Sequence, residues 1–366
     1  MNIAVLGGGN GSYAAAADFT LAGHEVRFWR RDFARFGSLA EKAPLRLLDH
    51  NGRHDLQLAG VVADIGDAVR GADLILFPAP AFAQADVAEQ LAPHLQDGQV
   101  VFLPPGSFGS YIMADLCRQH GCRADVAFAE TGTLPWLTRR RPDEDGLQTV
   151  AITTRASRLP SGVYPARHTD RALAVISAAF PGAIEPVEDA LSAALMNAGP
   201  IIHPPLIIMN AGPIAHFDKW DIHNEGTQPS IRAVHDALDG ERMALRTALG
   251  YAAPHFPLSD HYNTSDWMYG NLAHDKLVDS GDWHEKLDLK DHRYMSEDIA
   301  YGLCLLVTLG EWMGLEMPVS AGLLSLGGVA AGTDFRKTGR SWSSTGLAGL
   351  DMAELGMEAY PDFSKG

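Results

Sequence analysis

The sequence predicts an α/β N-terminal part, a doubly wound and mostly parallel sheet, followed by an all-α part. Three observations predict it. Short β-branched runs alternate with helical stretches through the first half. A glycine-rich turn stands between the first such run and the first helical stretch. Near Pro186 the alternation stops, and the rest of the chain reads as helices with polar Gly/Asp/His loops between them.

In chain order, residues 3–6 form the first strand, 14–21 a small-residue helix and 25–29 a second strand. Residues 74–77, 100–103 and 126–129 continue the parallel rhythm. Pro78-Ala79-Pro80 and Pro104-Pro105-Gly106 punctuate strand ends, where a doubly wound sheet carries its ligand loops. Residues 147–154 read as a further strand and 172–180 as a further helix. Beyond the composition shift, 231–249 and 298–313 are the clearest helical stretches. The expected division is 1–187 and 188–366.

With 29 Lys+Arg against 45 Asp+Glu, the formal charge of −16 repels phosphate backbones and anionic headgroups, so nucleic acid and membrane surfaces are not expected partners. Hydrophobic residues at 46% and charged residues at 20% describe an ordinary globular chain, which excludes disorder. Cys117, Cys122 and Cys304 lack metal spacing, no H-E-x-x-H occurs, and no metal site is expected. The apolar stretches 190–216 and 299–332 are interrupted by prolines or glutamates and read as buried helices. The N-terminal residues read as a strand rather than a secretion leader, and a cytoplasmic protein is expected.

The first strand runs into Gly7-Gly8-Gly9-Asn10-Gly11-Ser12 and then a helix. Gly7 permits the tight turn, Gly9 lets backbone approach a pyrophosphate, and the helix N-terminus offers N–H groups and positive dipole to that anion. Asn10, Gly11 and Ser12 complete the loop, Ser12 standing where a third glycine is usual. Pro78 belongs to the neighbouring strand end. This is the context of a Rossmann dinucleotide site. At the end of the second strand a carboxylate would select NAD, but Arg30-Arg31 stand there, and guanidinium groups suit a 2′-phosphate. NADP is favoured over NAD, although Asp32 is near and a solvated basic strand end is the bland alternative.

In the second half, His203 lies among apolar residues with Asn197, Pro200, Pro204 and Pro205 about it. A histidine in such a setting is often a satisfied core residue; after a nucleotide domain it is equally a candidate hydride-transfer partner. The cluster His292-Arg293-Tyr294-Met295-Ser296-Glu297-Asp298 precedes an apolar helix. Asp298 has the chemistry to orient a histidine and Arg293 to clamp a carboxylate; the alternative is a helix start capped by Ser296 and Asp298.

These residues resemble the NAD/NADP octopine and nopaline dehydrogenase family, the opine dehydrogenases. The likeness covers nearly the whole chain and rests on Gly7 to Gly11, Glu130-Thr131-Gly132-Thr133-Leu134-Pro135, Asn197 through His203-Pro204-Pro205, Glu225-Gly226-Thr227, and Arg293 with Asp298. It implies reductive condensation of an amino acid with a 2-oxo acid through an imine. It assigns His203 as acid/base, Asp298 as its partner, Arg293 as carboxylate anchor, Asn197 to the catalytic set and Glu130 to the cofactor side. Small-molecule substrates, and pairing of two copies through the helical domain, are expected.

Two other readings compete. A simple 2-oxo acid or 2-hydroxy acid reductase, like ketopantoate reductase or glycerol-3-phosphate dehydrogenase, would use a lysine, but between Pro186 and Trp220 only Lys219 is present. A non-catalytic NADPH-binding protein would need no His/Arg/Asp set.

Overall fold

The computed structural model describes residues 1–263, 266–270 and 273–349. They form two compact units, Met1–Ala194 and the residues from Leu195 onward. Residues 188–194 thus go with the first unit. The short helix Ala190–Ala194 packs on its sheet, and Gly162 has no side chain, which leaves room for the Asp189 carbonyl.

Among the described residues, twelve strands build the first unit: β1 Asn2–Leu6, β2 Glu25–Trp29, β3 Leu45–Asp49, β4 Gly52–Leu56, β5 Gly60–Val62, β6 Leu74–Leu76, β7 Val100–Leu103, β8 Ala127–Thr131, β9 Trp136–Glu144, β10 Leu147–Arg155, β11 Leu159–Tyr164 and β12 Ile184–Pro186. The main sheet has the order β12-β11-β8-β7-β6-β1-β2-β5. The chain winds outward from β1 to β5, returns to β6 and winds the other way, so the switch point lies between β1 and β6. Pairing is parallel except between β8 and β11.

The strand expected at 147–154 is present as β10, but it does not join the main sheet. It belongs to a second sheet, β4-β3-β10-β9, which lies against α1, Asn10–Leu21. Ala14, Ala15, Ala16 and Ala17 are all fully buried, which is why α1 is small-residued all round rather than amphipathic. Asp18 fastens the layers: Trp136 Nε1–H donates to Oδ2 at 2.7 Å, and Arg155 Nε–H donates to Oδ1 at 2.9 Å. Arg155 also reaches Asp49 at 2.7 Å.

The second unit is helical, with one small antiparallel pair, Trp220–Asp221 with His284–Glu285, that modifies the all-α expectation. Its chief helices are Gly199–Met209, Pro229–Ala248, Cys304–Trp312 and Pro318–Ala331. The helix expected at 298–313 starts earlier and changes character. Tyr294–Leu303 is π-helical, with the wider i→i+5 turn, and passes directly into Cys304–Trp312. Ser296 and Asp298 therefore lie inside the helix and do not cap it. The Ala300 carbonyl accepts from Arg340 N–H at 2.9 Å. Close packing of the π segment on Gly199–Met209 depends on Gly302, where a Cβ would collide with Pro200 Cγ. The stretch Ala190–Met209 is long and apolar enough to cross a membrane by composition alone, yet 78% of its most apolar window is buried inside the protein.

Candidate active site

The glycine loop follows β1 at the switch point. Gly7 has φ +122°, a conformation that favours glycine, and its N–H donates to the Trp29 carbonyl at 2.9 Å. Gly9 is the N-cap of α1, no side chain caps that terminus, and a Cβ at Gly9 would meet nothing within 4 Å. An open, uncapped helix N-terminus beside a backbone that lacks side chains suits a pyrophosphate. Gly11 fits against Leu134 and half-buried Pro78; Ser12 is buried, its Oγ donating to the Leu6 carbonyl at 3.5 Å. Asn10 Oδ1 accepts from the Arg140 N–H at 3.1 Å, which ties β9 to the loop.

The two arginines at the end of β2 part company. Arg30 is buried, and its Nη1–H donates to Tyr13 Oη at 3.2 Å and to the Arg35 carbonyl at 3.1 Å. Its Nε and Nη2 edge lies over the loop, 2.9 Å from where a Gly8 Cβ would stand. Arg31 is exposed and paired with Asp86 at 2.5 Å. A third arginine, Arg140, stacks over the Tyr13 ring at 4.3 Å. It escaped the sequence reading because it comes from the second sheet, 127 residues beyond Tyr13 in the chain.

Glu130 anchors a neighbouring loop. It is fully buried on β8, accepting from Phe108 N–H at 2.9 Å and Ser110 N–H at 3.1 Å. A Cβ at Gly106 would overlap this carboxylate. These contacts hold the 106–110 loop together.

In the second unit, His203 stands on Gly199–Met209 immediately before Pro204 and Pro205. Its Nδ1 lies 2.9 Å from Asp298 Oδ2, with the oxygen displaced from the N–H direction, so the two make a close pair rather than a linear hydrogen bond. Burial drives His203 well below the ordinary imidazole value, and the Arg293 charge pushes the same way. Burial pushes Asp298 up to about 7, with Arg293 opposing. Each group resists its charged form, so the pair holds a single proton below about pH 7 and gives it up above, leaving the Asp298 carboxylate beside Nδ1.

Arg293 precedes Tyr294 at the start of the π segment, its side chain 55% exposed and its Nε 3.5 Å from Glu297 Oε2. Asn197 lies buried before the helix, where its Oδ1 accepts from Gly199 N–H at 3.0 Å; it shapes the turn that delivers His203. Two residues that the sequence reading left without a role complete the surroundings. Tyr294 covers one face of the His203 ring, and His223 Nε2 is hydrogen-bonded to Tyr294 Oη at 2.7 Å.

Residues 186–331 match the family described as NAD/NADP octopine/nopaline dehydrogenase, alpha-helical domain, and residues 2–106 match NAD-dependent glycerol-3-phosphate dehydrogenase N-terminus. An opine dehydrogenase of Arthrobacter sp. (strain 1C) is 28% identical over 96% of this chain and 97% of its own. An octopine dehydrogenase solved with NADH and agmatine shares the fold, with TM-score 0.71 and 19% identity over 92% of each chain. A yersinopine dehydrogenase solved with NADP+ does so with TM-score 0.67 and 16% identity over 98% of each chain. A dinucleotide loop on a doubly wound sheet, a helical unit carrying a His–Asp pair, and these likenesses lead to one assignment: residues 186–331 carry the helical domain of the NAD/NADP octopine/nopaline dehydrogenase family, and the chain is an NAD(P)-dependent oxidoreductase.

Proposed function

We propose that the chain is an opine dehydrogenase that condenses an amino acid with a 2-oxo acid and reduces the resulting imine, with NADPH preferred to NADH. The observation that carries this reading is the buried His203–Asp298 pair at 2.9 Å, with the Arg293 guanidinium beside it. In the condensation the amine adds to the ketone and water leaves, so one group must take a proton from the amine and return one to the departing oxygen. His203 does both through Nε2, since Nδ1 faces Asp298. Asp298 fixes that tautomer and stabilises the imidazolium while it lasts. Arg293, exposed and planar, binds the carboxylate of the oxo acid.

The residues fit a dinucleotide at Gly7, Gly9, Asn10, Gly11 and Ser12, with Pro78 alongside. Arg30, already laid over Gly8, is the group for a 2′-phosphate; Arg31 is committed to Asp86. When bound, the dinucleotide supplies the hydride that converts imine to secondary amine. The test is a screen of amino acid and 2-oxo acid pairs, with NADPH or NADH oxidation as readout and mass spectrometry of the product. Turnover that requires both partners and yields a secondary amine supports the reading; full turnover with a 2-oxo acid alone makes the protein a simple reductase.

A further inference from the structure

We propose that Tyr294, held by His223, is a positioning residue that fixes the His203 ring and favours its protonated state. The inference rests on the proposed role of His203 as the acid/base.

The Tyr294 and His203 ring centroids are 3.6 Å apart and the planes 8° from parallel. Two neutral aromatic rings avoid that arrangement, because their negative faces repel and they slide to an offset or edge-on geometry about 4.5–7 Å apart. A face-to-face stack becomes favourable when one ring is electron-poor, as an imidazolium is. Near-parallel pairs elsewhere among the described residues keep the wider spacing, Phe108 with Tyr111 at 5.0 Å, Phe217 with Trp220 at 5.5 Å and His235 with Tyr262 at 6.5 Å, so it is the 3.6 Å approach that sets Tyr294 and His203 apart.

The π segment produces the arrangement. Tyr294 and Asp298 are four residues apart on the wide turn, and both bear on one imidazole: the phenol covers a face while the carboxylate meets Nδ1. With Nδ1 and one face covered, the 17% of the His203 side chain that is exposed lies on what remains, which includes the edge bearing Nε2. Tyr294 is itself held in rotation. Its hydroxyl is hydrogen-bonded to His223 Nε2 at 2.7 Å, the His223 backbone N–H donates to Asp221 Oδ1 at 3.0 Å, and the His223 ring abuts Trp283 edge-on at 6.0 Å. The titratable and charged groups about His203 are Asp298, Arg293 and Tyr294 from the π segment, His223, and His235 from Pro229–Ala248. Among these groups, Tyr294 alone lies flat on the ring. It acts against the burial that disfavours the imidazolium.

The experiment compares Tyr294→Leu, which removes the aromatic face, with Tyr294→Phe, which keeps it and removes only the hydroxyl. Tyr294→Leu should lower kcat roughly tenfold or more, leave the cofactor Kd unchanged, and move the acidic limb of the kcat/KM profile to lower pH by about half a unit. Tyr294→Phe should stay within about fivefold of the parent with its acidic limb in place. His223→Leu should match the phenylalanine variant, and combining the two should add nothing, since they remove one hydrogen bond. Should the leucine variant fold poorly, Tyr294→Met offers a longer, adaptable side chain without an aromatic face. An unmoved limb and undiminished kcat in the leucine or methionine variant overturn the proposal, as do equal losses in the leucine and phenylalanine variants. His203→Ala run alongside separates the two levels: its full activity would overturn both the acid/base reading and this one, whereas its inactivity beside an indifferent Tyr294→Leu overturns only the positioning role.

Discussion

Gly199 and Asp298 meet backbone to carboxylate: a Cβ at position 199 would overlap Asp298 Oδ1. The first turn of the His203 helix is therefore bare at the point where the π segment delivers its acid. The contact brings two segments ninety-five residues apart in sequence, at His203 and Asp298, to within 2.9 Å of each other.

Gly199→Ala should push Asp298 off His203. Overpacking of this kind costs about 1–3 kcal/mol of stability, and a displacement near 1 Å at a catalytic pair lowers kcat by up to roughly 10²-fold. Gly212, whose Cβ would meet nothing within 4 Å, is the control, and Gly212→Ala should keep kcat. Denaturant unfolding and steady-state kinetics on both variants check this.

The buried pair has a defined pH signature. The folded-state pKa of Asp298 is raised from 3.8 to about 7, so taken alone its contribution to stability is present below pH 3.8 and lost as pH rises through 7. His203 is lowered from 6.5, so its contribution is present above 6.5 and lost as pH falls. Between 3.8 and 6.5 the unfolded chain holds one proton on these two groups, on the histidine, and the folded pair also holds one. The two dependences cancel there. Asp298→Asn should uncover the histidine alone, and its unfolding free energy should fall from about pH 7 to about pH 5 more steeply than that of the parent protein. Parallel urea titrations at the two pH values measure the difference, and identical slopes would show that the pair does not share a proton.

Cofactor preference should separate Arg30 from Arg31. Removing a charged hydrogen-bond donor costs about 1.5–3 kcal/mol, so Arg30→Ala should weaken NADPH roughly tenfold to a hundredfold while NADH changes little. Arg31→Ala should leave both within about twofold, because its partner is Asp86. Titration calorimetry with both dinucleotides decides; equal losses of NADPH and NADH in Arg30→Ala would remove Arg30 from the 2′-phosphate.

Local chemistry explains what was legible in the sequence. β1, the glycine loop, α1 and β2 are contiguous, and each announces itself through period, glycine placement or β-branching, so the nucleotide unit could be read directly. β10 reads as a strand, but nothing in it says which sheet; β3, β4 and β9 carry no clear alternation and go unread, and the Asp18–Arg155–Asp49 link that fixes the layer is long-range. The inward turn of Arg30 depends on Tyr13 and Arg35, and the outward turn of Arg31 on Asp86, contacts that two adjacent arginines do not display. Glu130 reads as a polar residue at a strand end, and only the folded loop shows its oxygens engaged by Phe108 and Ser110. The π turn is equally hidden, since an apolar helical run looks the same whether its hydrogen bonds span four residues or five.

The central claim is that His203, partnered by Asp298, moves the protons of the condensation, and its most direct measurement is kcat of His203→Ala with the amino acid and 2-oxo acid pair that the screen identifies. General acid–base catalysis contributes about 10²–10⁴-fold, so kcat should fall by that factor while the NADPH Kd and the unfolding midpoint remain those of the parent. Near-normal turnover in a folded, NADPH-binding His203→Ala protein would contradict it and return His203 to the core.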